Sequence, residues 1–450
     1  MHLEDPAAQG HEPPTAEVVR NDDPVPELNK RHFIVPIGGK THTATETGDP
    51  ETGHVSMELG SVQDLGLRYS NWLVKEEGRW VPAVQIWLRS QSRREYEGVV
   101  FSPGRAVPGY YNLWKGFSVE PVPGDCSLFW EHVRLVICRG VEAHYLYVRK
   151  WVAHMVQRPE ELPEVALVIR GSQGTGKTFF ADILGDLLGP HYLMLSRMEQ
   201  LTGRFTGHLK DALLVYANEA VWGGDKQGEG ALKSLVTDKW CTVESKGKDL
   251  YTVRNYKRLV VSSNEEWAVP MGMDDRRFFV LEASDGHKGD KPYFAALHRQ
   301  MASGGLKALL HDLLNEDLSC FDARTKPQSA HGFDMQLRSS EPVVRWWYER
   351  LYEGSLAGST DDLNITDGWE REPNKEALHN CFLDYCQTHR QRTIDKSVFG
   401  KRLHKLLPGC FVGEGRAAFG TRPRCHRLPS LQECREAFQR YAKSGPEIWD

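Results

Sequence analysis

The stretch VALVIRGSQGTGKT, from Val165 to Thr178, decides the fold of this chain. Its first half is a continuous aliphatic run, which is typical of a buried parallel strand because both faces of such a strand are covered. Its second half has the spacing Gly-x-x-x-x-Gly-Lys-Thr, and a segment of helical character follows from Phe179 to Leu188. This order of strand, loop and helix predicts a nucleoside triphosphate site, because loop N–H groups and a helix N-terminus point at one anion.

Each residue type in this loop has a part in holding phosphate. Glycines let the backbone curl around the anion, the lysine reaches the β- and γ-phosphates, and the threonine hydroxyl is a ligand for Mg²⁺. The pattern therefore predicts ATP and Mg²⁺ as cofactors, whereas the alternative is a glycine-rich turn without a ligand. The predicted nucleotide-binding residues are Gly171, Ser172, Gln173, Gly174, Thr175, Gly176, Lys177 and Thr178.

The bulk composition narrows the class of protein without assigning a function. Of the 450 residues, 40% are hydrophobic and 26% are charged, which is ordinary for a globular chain of two or three domains. No apolar run approaches the roughly 18 residues of a membrane span, and the N-terminus lacks a signal-peptide core. The nine cysteines are scattered without a C-x-x-C pair, which favours a reducing cytoplasm. Because the net charge is −5, any nucleic-acid contact must be local.

A second aliphatic run, from Asp211 to Ala217, ends in Asn218 and Glu219. In nucleotide-hydrolysing P-loop proteins, an acid at this strand end helps to hold Mg²⁺ or orients the attacking water. Glu219 is therefore the predicted water-orienting base and a Mg²⁺ ligand through water. The alternative is a plain acid at a helix N-terminus. Asn218 is not a carboxylate, and it is kept as a further candidate at the metal.

A third aliphatic run, from Leu259 to Ser263, ends in Asn264. An amide at this place can donate a hydrogen bond to the γ-phosphate or to the attacking water without adding charge. An asparagine that ends a strand is, on its own, more often a turn residue. As the third polar group in order at a strand end, Asn264 is the predicted phosphate sensor.

Two arginines, Arg276 and Arg277, precede a further apolar run. A guanidinium that faces the γ-phosphate of a neighbouring subunit neutralises charge in the transition state, which is worth about 10³ to 10⁵ in rate. The alternative is an ion pair within the chain, with Asp274 or Asp275. Arg277 is the preferred residue for action in trans and Arg276 the reserve, since the sequence does not separate them.

The segment from Cys241 to Val253 lies between the second and third aliphatic runs and predicts a β-hairpin. Two short β-prone runs flank a polar tip that contains glycine. Lys246 and Lys248 on this tip suit contact with a nucleic-acid backbone without base readout. A solvated loop is the alternative.

The C-terminal part carries a local basic excess. Between residues 389 and 427 there are ten lysines and arginines against two acids. Two stripes of apolar residues predict two helices before a basic, β-prone stretch, a pattern that favours a winged-helix-like module. Arg402 and Lys405 on its second helix are the predicted phosphate contacts. A protein-docking module with a solvated basic face is the alternative.

The chain order of the parts P-loop, Glu219, lysine-tipped hairpin, Asn264 and arginine pair resembles the superfamily 3 helicases of DNA viruses, phages and mobile elements, which are AAA+-like ATPases. It is most similar to the helicase part of phage and prophage primase–helicase proteins. The likeness spans roughly residues 95–330. Further stretches that recur in those proteins are Gly98–Pro103, Tyr111–Phe117, Gly203–Phe205, Gly224–Lys226 and Arg276–Phe279.

The resemblance implies a ring, hexameric in that family, with ATP between subunits and hairpins lining a channel for single-stranded DNA. It implies unwinding of forked DNA in a bacterial host cytoplasm. The family usually has an acid where Asn218 stands, so we expect slower or more Mg²⁺-dependent hydrolysis. No primase-like carboxylate cluster precedes residue 125, so we expect a primase or polymerase partner on another chain or in a missing upstream segment.

The expected fold class is α/β, an AAA+-like P-loop core with a parallel sheet flanked by helices. A small α+β or helical region precedes it and a winged-helix-like module follows. The expected segments are a disordered tail or linker at 1–30, an α+β region at 31–125, the ATPase domain at 126–330, a linker with a short helix at 331–374, and the basic module at 375–450.

Two other functions remain open from the sequence. A nucleotide-controlled DNA-binding assembly or origin-loading factor would bind ATP and form rings with weak turnover, which suits Asn218. A P-loop kinase is disfavoured, because the sequence offers no phosphoacceptor-binding lid.

Overall fold

The computed structural model describes residues 23–50, 54–203, 206–219, 226–244, 251–265, 269–273, 275–356, 368–369, 372–407 and 426–449. The chain divides into two units, Met1–Gly116 and Phe117–Asp450. In the described ranges, no helix combines the length and the apolar character that crossing a bilayer requires.

The first unit is an α+β arrangement built on an antiparallel sheet of three strands in the order β1-β2-β3. β1 and β2 form a hairpin in which Phe33 pairs with Ala44, and Gly38 and Gly39 form the turn with positive φ. The elements of this unit are α1 (Pro24–Asn29), β1 (His32–Ile37), β2 (Lys40–Gly48), β3 (Val55–Gly60), α2 (Val62–Arg68), β4 (Leu73–Glu76), β5 (Arg79–Pro82), α3 (Ala83–Arg89), β6 (Gly98–Val100) and β7 (Tyr110–Asn112).

Helix α1 corrects residue 30 as the predicted end of the N-terminal tail. The Asp23 side chain accepts a hydrogen bond from the Val25 N–H at 3.0 Å and so caps the helix. Val25 and Leu28 are buried beside Trp87 in the core of the first unit. Residues 24–30 therefore belong to the folded unit, and residues 1–22 of the predicted tail lie outside the described residues.

The second unit is organised around a parallel sheet of five strands in the order β14-β8-β13-β10-β9, flanked by helices. Its sheet and hairpin strands are β8 (Ala166–Arg170), β9 (Tyr192–Leu195), β10 (Leu214–Asn218), β11 (Trp240–Val243), β12 (Tyr251–Arg254), β13 (Arg258–Ser263) and β14 (Phe278–Glu282). Its helices up to residue 315 are α4 (Ser127–Glu131), α5 (Glu142–Gln157), α6 (Lys177–Leu188), α7 (Met198–Thr202), α8 (Lys226–Thr237), α9 (Lys291–Gln300) and α10 (Leu306–Asn315).

The central strands are buried on both faces, as continuous aliphatic runs predict. Every residue of β13 is buried, and so are the first four residues of β8, β10 and β14. Helix α4 continues directly as a π-helical segment, His132–Ile137. π-helical turns are rare and concentrate at functional sites.

The C-terminal part of the second unit is helical in its described residues. Its helices are α11 (Ala330–Ser339), α12 (Pro342–Glu353), α13 (Lys375–Thr388), α14 (Lys396–Lys405) and α15 (Leu431–Ala442). Trp346 and Trp347 on α12 are buried in one cluster with Phe382, Phe399 and Phe438. The expected linker at 331–374 therefore begins with two helices, and the second of them packs into the core of the following module. Residues 408–425, in the basic β-prone stretch, lie outside the described residues, so the winged-helix-like module stays a prediction.

Candidate functional site

Three adjacent parallel strands bring the predicted site residues to one edge of the sheet. β13 lies between β8 and β10, and Val261 of β13 pairs with Val168 of β8 and with Ala217 of β10. All three strands run in the same direction, so their carboxyl ends share an edge. In open α/β sheets this edge is where ligands bind.

The glycine-rich loop that is predicted to bind phosphate, Gly171–Thr178, leaves β8 and enters α6. Its three glycines have positive φ, with values of 144° at Gly171, 82° at Gly174 and 92° at Gly176. Inside the loop, the Thr175 hydroxyl donates to the Ser172 carbonyl at 3.0 Å. Gln173 and Thr178 are exposed to solvent. The loop therefore has the curled backbone that an anion cradle requires.

Lys177 is buried at the base of the loop and donates three hydrogen bonds. Its Nζ lies 2.5 Å from the Gly171 carbonyl oxygen, 2.8 Å from that of Ser172 and 3.0 Å from Asn264 Oδ1. Burial lowers the pKa of the Lys177 ammonium, and the nearby carboxylates of Glu219 and Asp285 oppose that shift. The cation is thus held where loop and strand ends meet.

Asn264 joins Lys177 to Glu219. Its Nδ2 donates to Glu219 Oε1 at 3.1 Å while its Oδ1 accepts from Lys177. Glu219 is exposed and has φ of 52°, a left-handed conformation that is uncommon for a residue with a side chain. Such strain is concentrated at functional sites. Lys177 at the start of α6 and the two residues that follow β10 and β13 therefore form one connected polar chain, and their roles in chemistry stay predictions.

A second polar cluster lies beside the first and contains two residues that the sequence analysis missed. The Tyr216 phenol oxygen lies 3.2 Å from Thr178 Oγ1, 3.1 Å from Asn218 Oδ1 and 2.8 Å from Ser262 Oγ. Ser262 also donates to Asn218 Oδ1 at 3.0 Å. Alternation along the strands could have signalled both residues, because Tyr216 and Ser262 each stand two positions before a predicted site residue.

His132 of the π-helical segment supports the loop from behind and was also missed. Its Nε2 lies 3.2 Å from the Gly176 carbonyl oxygen and its Nδ1 lies 3.0 Å from the Tyr293 hydroxyl. A carbonyl only accepts, so Nε2 carries the proton and Nδ1 accepts from Tyr293. Burial lowers the pKa of His132 to about 4, so the ring is neutral near pH 7. Nothing in the local sequence marks this contact.

The segment after β14 closes the other side of the loop. The Ser172 hydroxyl donates to Asp285 Oδ2 at 3.2 Å, and the Gly289 N–H donates to the Gly174 carbonyl at 3.3 Å. The His287 ring stacks on Tyr293 with 3.8 Å between centroids. The positive charge of Lys288 contributes to the lowered pKa of Lys177. These residues add a further wall to the site.

Arg276 and Arg277 lie at the opposite edge of the sheet from the loop. The Arg277 carbonyl accepts from the Ala166 N–H, at the start of β8, whereas the loop follows the end of that strand. Five residues of strand separate the two edges by about 16 Å. The Arg277 guanidinium lies 3.6 Å from Asp275, whereas Arg276 is exposed and has no ion pair among the described residues. Neither arginine reaches the loop of its own chain.

The residues predicted to contact DNA are placed only in part. β11 and β12 form the stem of the predicted hairpin, with Trp240 opposite Arg254, while Lys246 and Lys248 at its tip lie outside the described residues. Arg402 on α14 pairs with Glu341 at 2.9 Å, so its charge is partly compensated. Lys405 is exposed.

Comparison with known proteins finds similarity to a phage replication protein. A family model described as "Family of unknown function (DUF5906)" matches residues 169–277, from the strand before the loop to the arginine pair. The "DNA Primase-polymerase" of Nitratiruptor phage NrS-1 is 28% identical over 138 residues, which cover 30% of this chain and 19% of that protein. The match thus spans less than a fifth of that relative's length.

Solved structures extend the similarity to most of the chain at the level of the fold. Two apo structures of the NrS-1 C-terminal region have a TM-score of 0.66 and 16% sequence identity. They cover 91% and 90% of this chain, and this chain matches all of the solved region in both. The protein shares the fold of that C-terminal region.

Proposed function

We propose that this chain is an ATP-dependent, ring-forming DNA helicase that acts in the replication of a phage or mobile element, in the bacterial cytoplasm. The observation that carries the proposal is the connected chain Lys177–Asn264–Glu219 beside a glycine cradle. A cation, an amide and a carboxylate converge where the terminal phosphate of a nucleotide on the loop would lie. A glycine-rich turn without a ligand does not need this convergence.

The donor set at the strand ends fits a nucleotide with Mg²⁺. Thr178 offers a hydroxyl at the start of α6 and Glu219 an exposed carboxylate, both of them oxygen ligands of the kind that Mg²⁺ prefers. Thr178 would hold the ion directly and Glu219 through water, and the bound ion supplies positive charge against the phosphate oxygens. Mg²⁺ keeps several waters in such sites, so few protein ligands suffice.

The chain's own residues would then carry hydrolysis by position and charge. Lys177 must leave its bonds to the Gly171 and Ser172 carbonyls and turn its ammonium to the phosphates. Glu219, once released from Asn264, accepts a hydrogen bond from the attacking water. The Asn264 amide N–H groups are left to donate to the terminal phosphate. No covalent intermediate is required.

The arginine pair supports action between subunits. Because it lies at the amino edge of the sheet, about 16 Å from the loop by strand length, a guanidinium there serves the site of another copy rather than its own. Arg276 is the better placed of the two in this structure, since it is exposed while Arg277 faces Asp275. On the sequence alone, Arg277 is the preferred candidate.

The relatives support a role in phage DNA replication. The matched relative is named as a primase-polymerase, and the solved structures are of the C-terminal region of the NrS-1 protein. DNA contacts are proposed for the hairpin tip, Lys246 and Lys248, and for Arg402 and Lys405 on α14. A primase or polymerase activity on another chain or segment would act on the strands that the ring separates.

Unwinding of forked DNA by the whole chain tests the proposal. We expect ATP to drive strand separation, Lys177→Ala to abolish nucleotide binding, and Glu219→Gln to keep binding while hydrolysis falls at least 100-fold. Lys239→Ala, on an exposed lysine outside the site, is the matched control and should keep wild-type rates. If the wild type binds ATP and assembles on DNA but never separates the strands, the helicase proposal is wrong. The origin-loading or assembly factor would then be the better function, and the amide at Asn218 favours that alternative.

A further inference from the structure

Tyr216 lies at the centre of the second polar cluster, at the carboxyl edge of the sheet. Its ring is fully buried in β10, and only the phenol oxygen reaches the site. An ordinary phenol keeps its proton at neutral pH, so this oxygen has one hydrogen to donate. One phenol thus contacts the hydroxyl of Thr178, the amide oxygen of Asn218 and the hydroxyl of Ser262.

Tyr216, Ser262 and Thr178 have three hydroxyl protons for four contacts, so the directions are read from the one atom that can only accept. Asn218 Oδ1 can only accept, and it lies within hydrogen-bond distance of both the Tyr216 and the Ser262 hydroxyl groups. Tyr216 donates its one proton to this oxygen, and the one proton of Ser262 serves either the same amide oxygen or the phenol oxygen 2.8 Å away. The Tyr216 oxygen has then given its proton away and can only accept, so the bond from Thr178 runs from the threonine O–H to the phenol oxygen.

We propose that Tyr216 is a positioning residue for the metal ligand Thr178. By accepting the proton of the threonine hydroxyl, it turns the lone pairs of Thr178 Oγ1 away from the sheet and towards Mg²⁺. Asn218 anchors the phenol by accepting its proton. The inference rests on the proposed nucleotide site and explains how that site tolerates an amide where the resembling family has an acid.

Tyr216→Phe tests this role by removing one oxygen atom and keeping the ring. Calorimetric titration of the whole chain with ADP is carried out in EDTA and at increasing Mg²⁺. We expect the affinity for ADP in EDTA to stay within about twofold of wild type, and the Mg²⁺ concentration for half-maximal effect to rise about tenfold. Tenfold corresponds to ~1.4 kcal/mol, the size of one hydrogen bond.

Tyr192→Phe is the matched control. The Tyr192 phenol lies on the neighbouring strand β9 and donates to Asp182 at 3.0 Å. Tyr192→Phe therefore removes the same hydroxyl group as Tyr216→Phe, but from a tyrosine that does not contact Thr178. This variant should keep the wild-type Mg²⁺ dependence. The melting temperatures of both variants are compared, so that a purely structural effect of the missing hydroxyl is seen as a change in stability without a change in Mg²⁺ dependence.

A double variant shows whether Tyr216 acts through Thr178. Once the ligand is gone in Thr178→Ala, adding Tyr216→Phe should change the Mg²⁺ dependence no further, because the two residues form one unit. Equal Mg²⁺ dependence in Tyr216→Phe and wild type, with ADP binding intact, overturns the proposal. Additive losses in the double variant overturn it as well. A wild type that binds no ADP at any Mg²⁺ concentration refutes the nucleotide site itself, and the positioning role with it.

Discussion

The Nε2 atom of His132 lies 3.2 Å from the carbonyl oxygen of Gly176, the last glycine of the predicted phosphate-binding loop. The ring is completely buried, and its second nitrogen is held by the Tyr293 hydroxyl. A Cβ atom at position 176 would stand 2.4 Å from the His132 ring and 2.8 Å from the Phe294 ring. Two features therefore require glycine at position 176: its φ of 92°, and the lack of space for a Cβ atom beside the His132 and Phe294 rings.

Gly176→Ala is expected to destabilise the fold and to weaken nucleotide binding. Overpacking costs about 1 to 3 kcal/mol and the left-handed backbone about 1 to 2 kcal/mol more. Removing the ring in the double variant His132→Ala/Gly176→Ala relieves part of the clash but none of the backbone strain. Urea unfolding of the four proteins of this cycle should give a coupling of about 1 kcal/mol. Strict additivity would show that the two residues do not meet.

Acidification should destabilise the protein through His132. Its pKa is about 4 in the folded chain, against 6.5 for an ordinary histidine side chain, so the unfolded chain binds more protons between these limits. The stability that His132 contributes is present above pH 6.5 and is lost as the pH falls towards 4, by about 3 kcal/mol at most. We expect the melting temperature of His132→Gln, whose amide can replace Nε2, to fall less than that of wild type between about pH 7 and pH 4.5. Identical pH profiles would contradict this assignment.

Substitution of Arg258 is expected to lower the free energy of unfolding more than most single substitutions in the second unit. Its guanidinium is fully buried and donates to the carbonyl oxygens of Arg158, Pro159, Tyr256 and Glu161 at 2.7 to 2.9 Å. It thereby ties the chain after α5 to the start of β13. Arg258→Met leaves these acceptors unpaired in the core, which should cost about 3 kcal/mol.

Thermal unfolding of Arg258→Met and Arg258→Lys measures this contribution. The three N–H donors of lysine are all on one nitrogen atom, which cannot reach all four carbonyl oxygens. Arg258→Lys should therefore recover only part of the stability that Arg258→Met loses. Arg254→Met, on the exposed side of β12, is the control and should change stability by less than about 1 kcal/mol. A wild-type melting temperature for Arg258→Met would mean that other contacts hold α5 to the sheet.

The sequence predicted the polar residues that follow the strands, but it missed the residues that contact each other between neighbouring strands and elements. Lys177, Glu219 and Asn264 each follow an aliphatic run, and parallel strands must bring such ends together. The contact of Tyr216 with Ser262 depends on the register of β10 against β13, which no local pattern fixes. His132 and Gly176 are 44 positions apart, and their contact depends on how a π-helical segment packs behind the loop. The boundary at residue 30 was misplaced because α1 is short and its few apolar residues are buried only in the tertiary fold.

Mixing inactive variants of the arginine pair and of Lys177 distinguishes action in trans from a structural role of the arginines. Arg276→Ala should reduce ATP hydrolysis about 10³-fold while each subunit still binds nucleotide, because the guanidinium would serve the neighbouring site. Lys177→Ala should be inactive for a different reason, the loss of its own site. In a mixture of the two variants, some interfaces combine an intact loop from Arg276→Ala with an intact arginine from Lys177→Ala.

Mixing the two inactive proteins should therefore restore part of the hydrolysis, and the restored rate should depend on the mixing ratio and on protein concentration. Arg277→Ala is compared in the same assay. Because Arg277 faces Asp275, we expect it to lower the melting temperature more and to be complemented less than Arg276→Ala. If only the mixture of Arg277→Ala with Lys177→Ala recovers hydrolysis, Arg277 is the residue that acts in trans, as the sequence predicts. If neither mixture recovers activity although rings form, the pair has a structural role and the catalytic cation between subunits lies elsewhere.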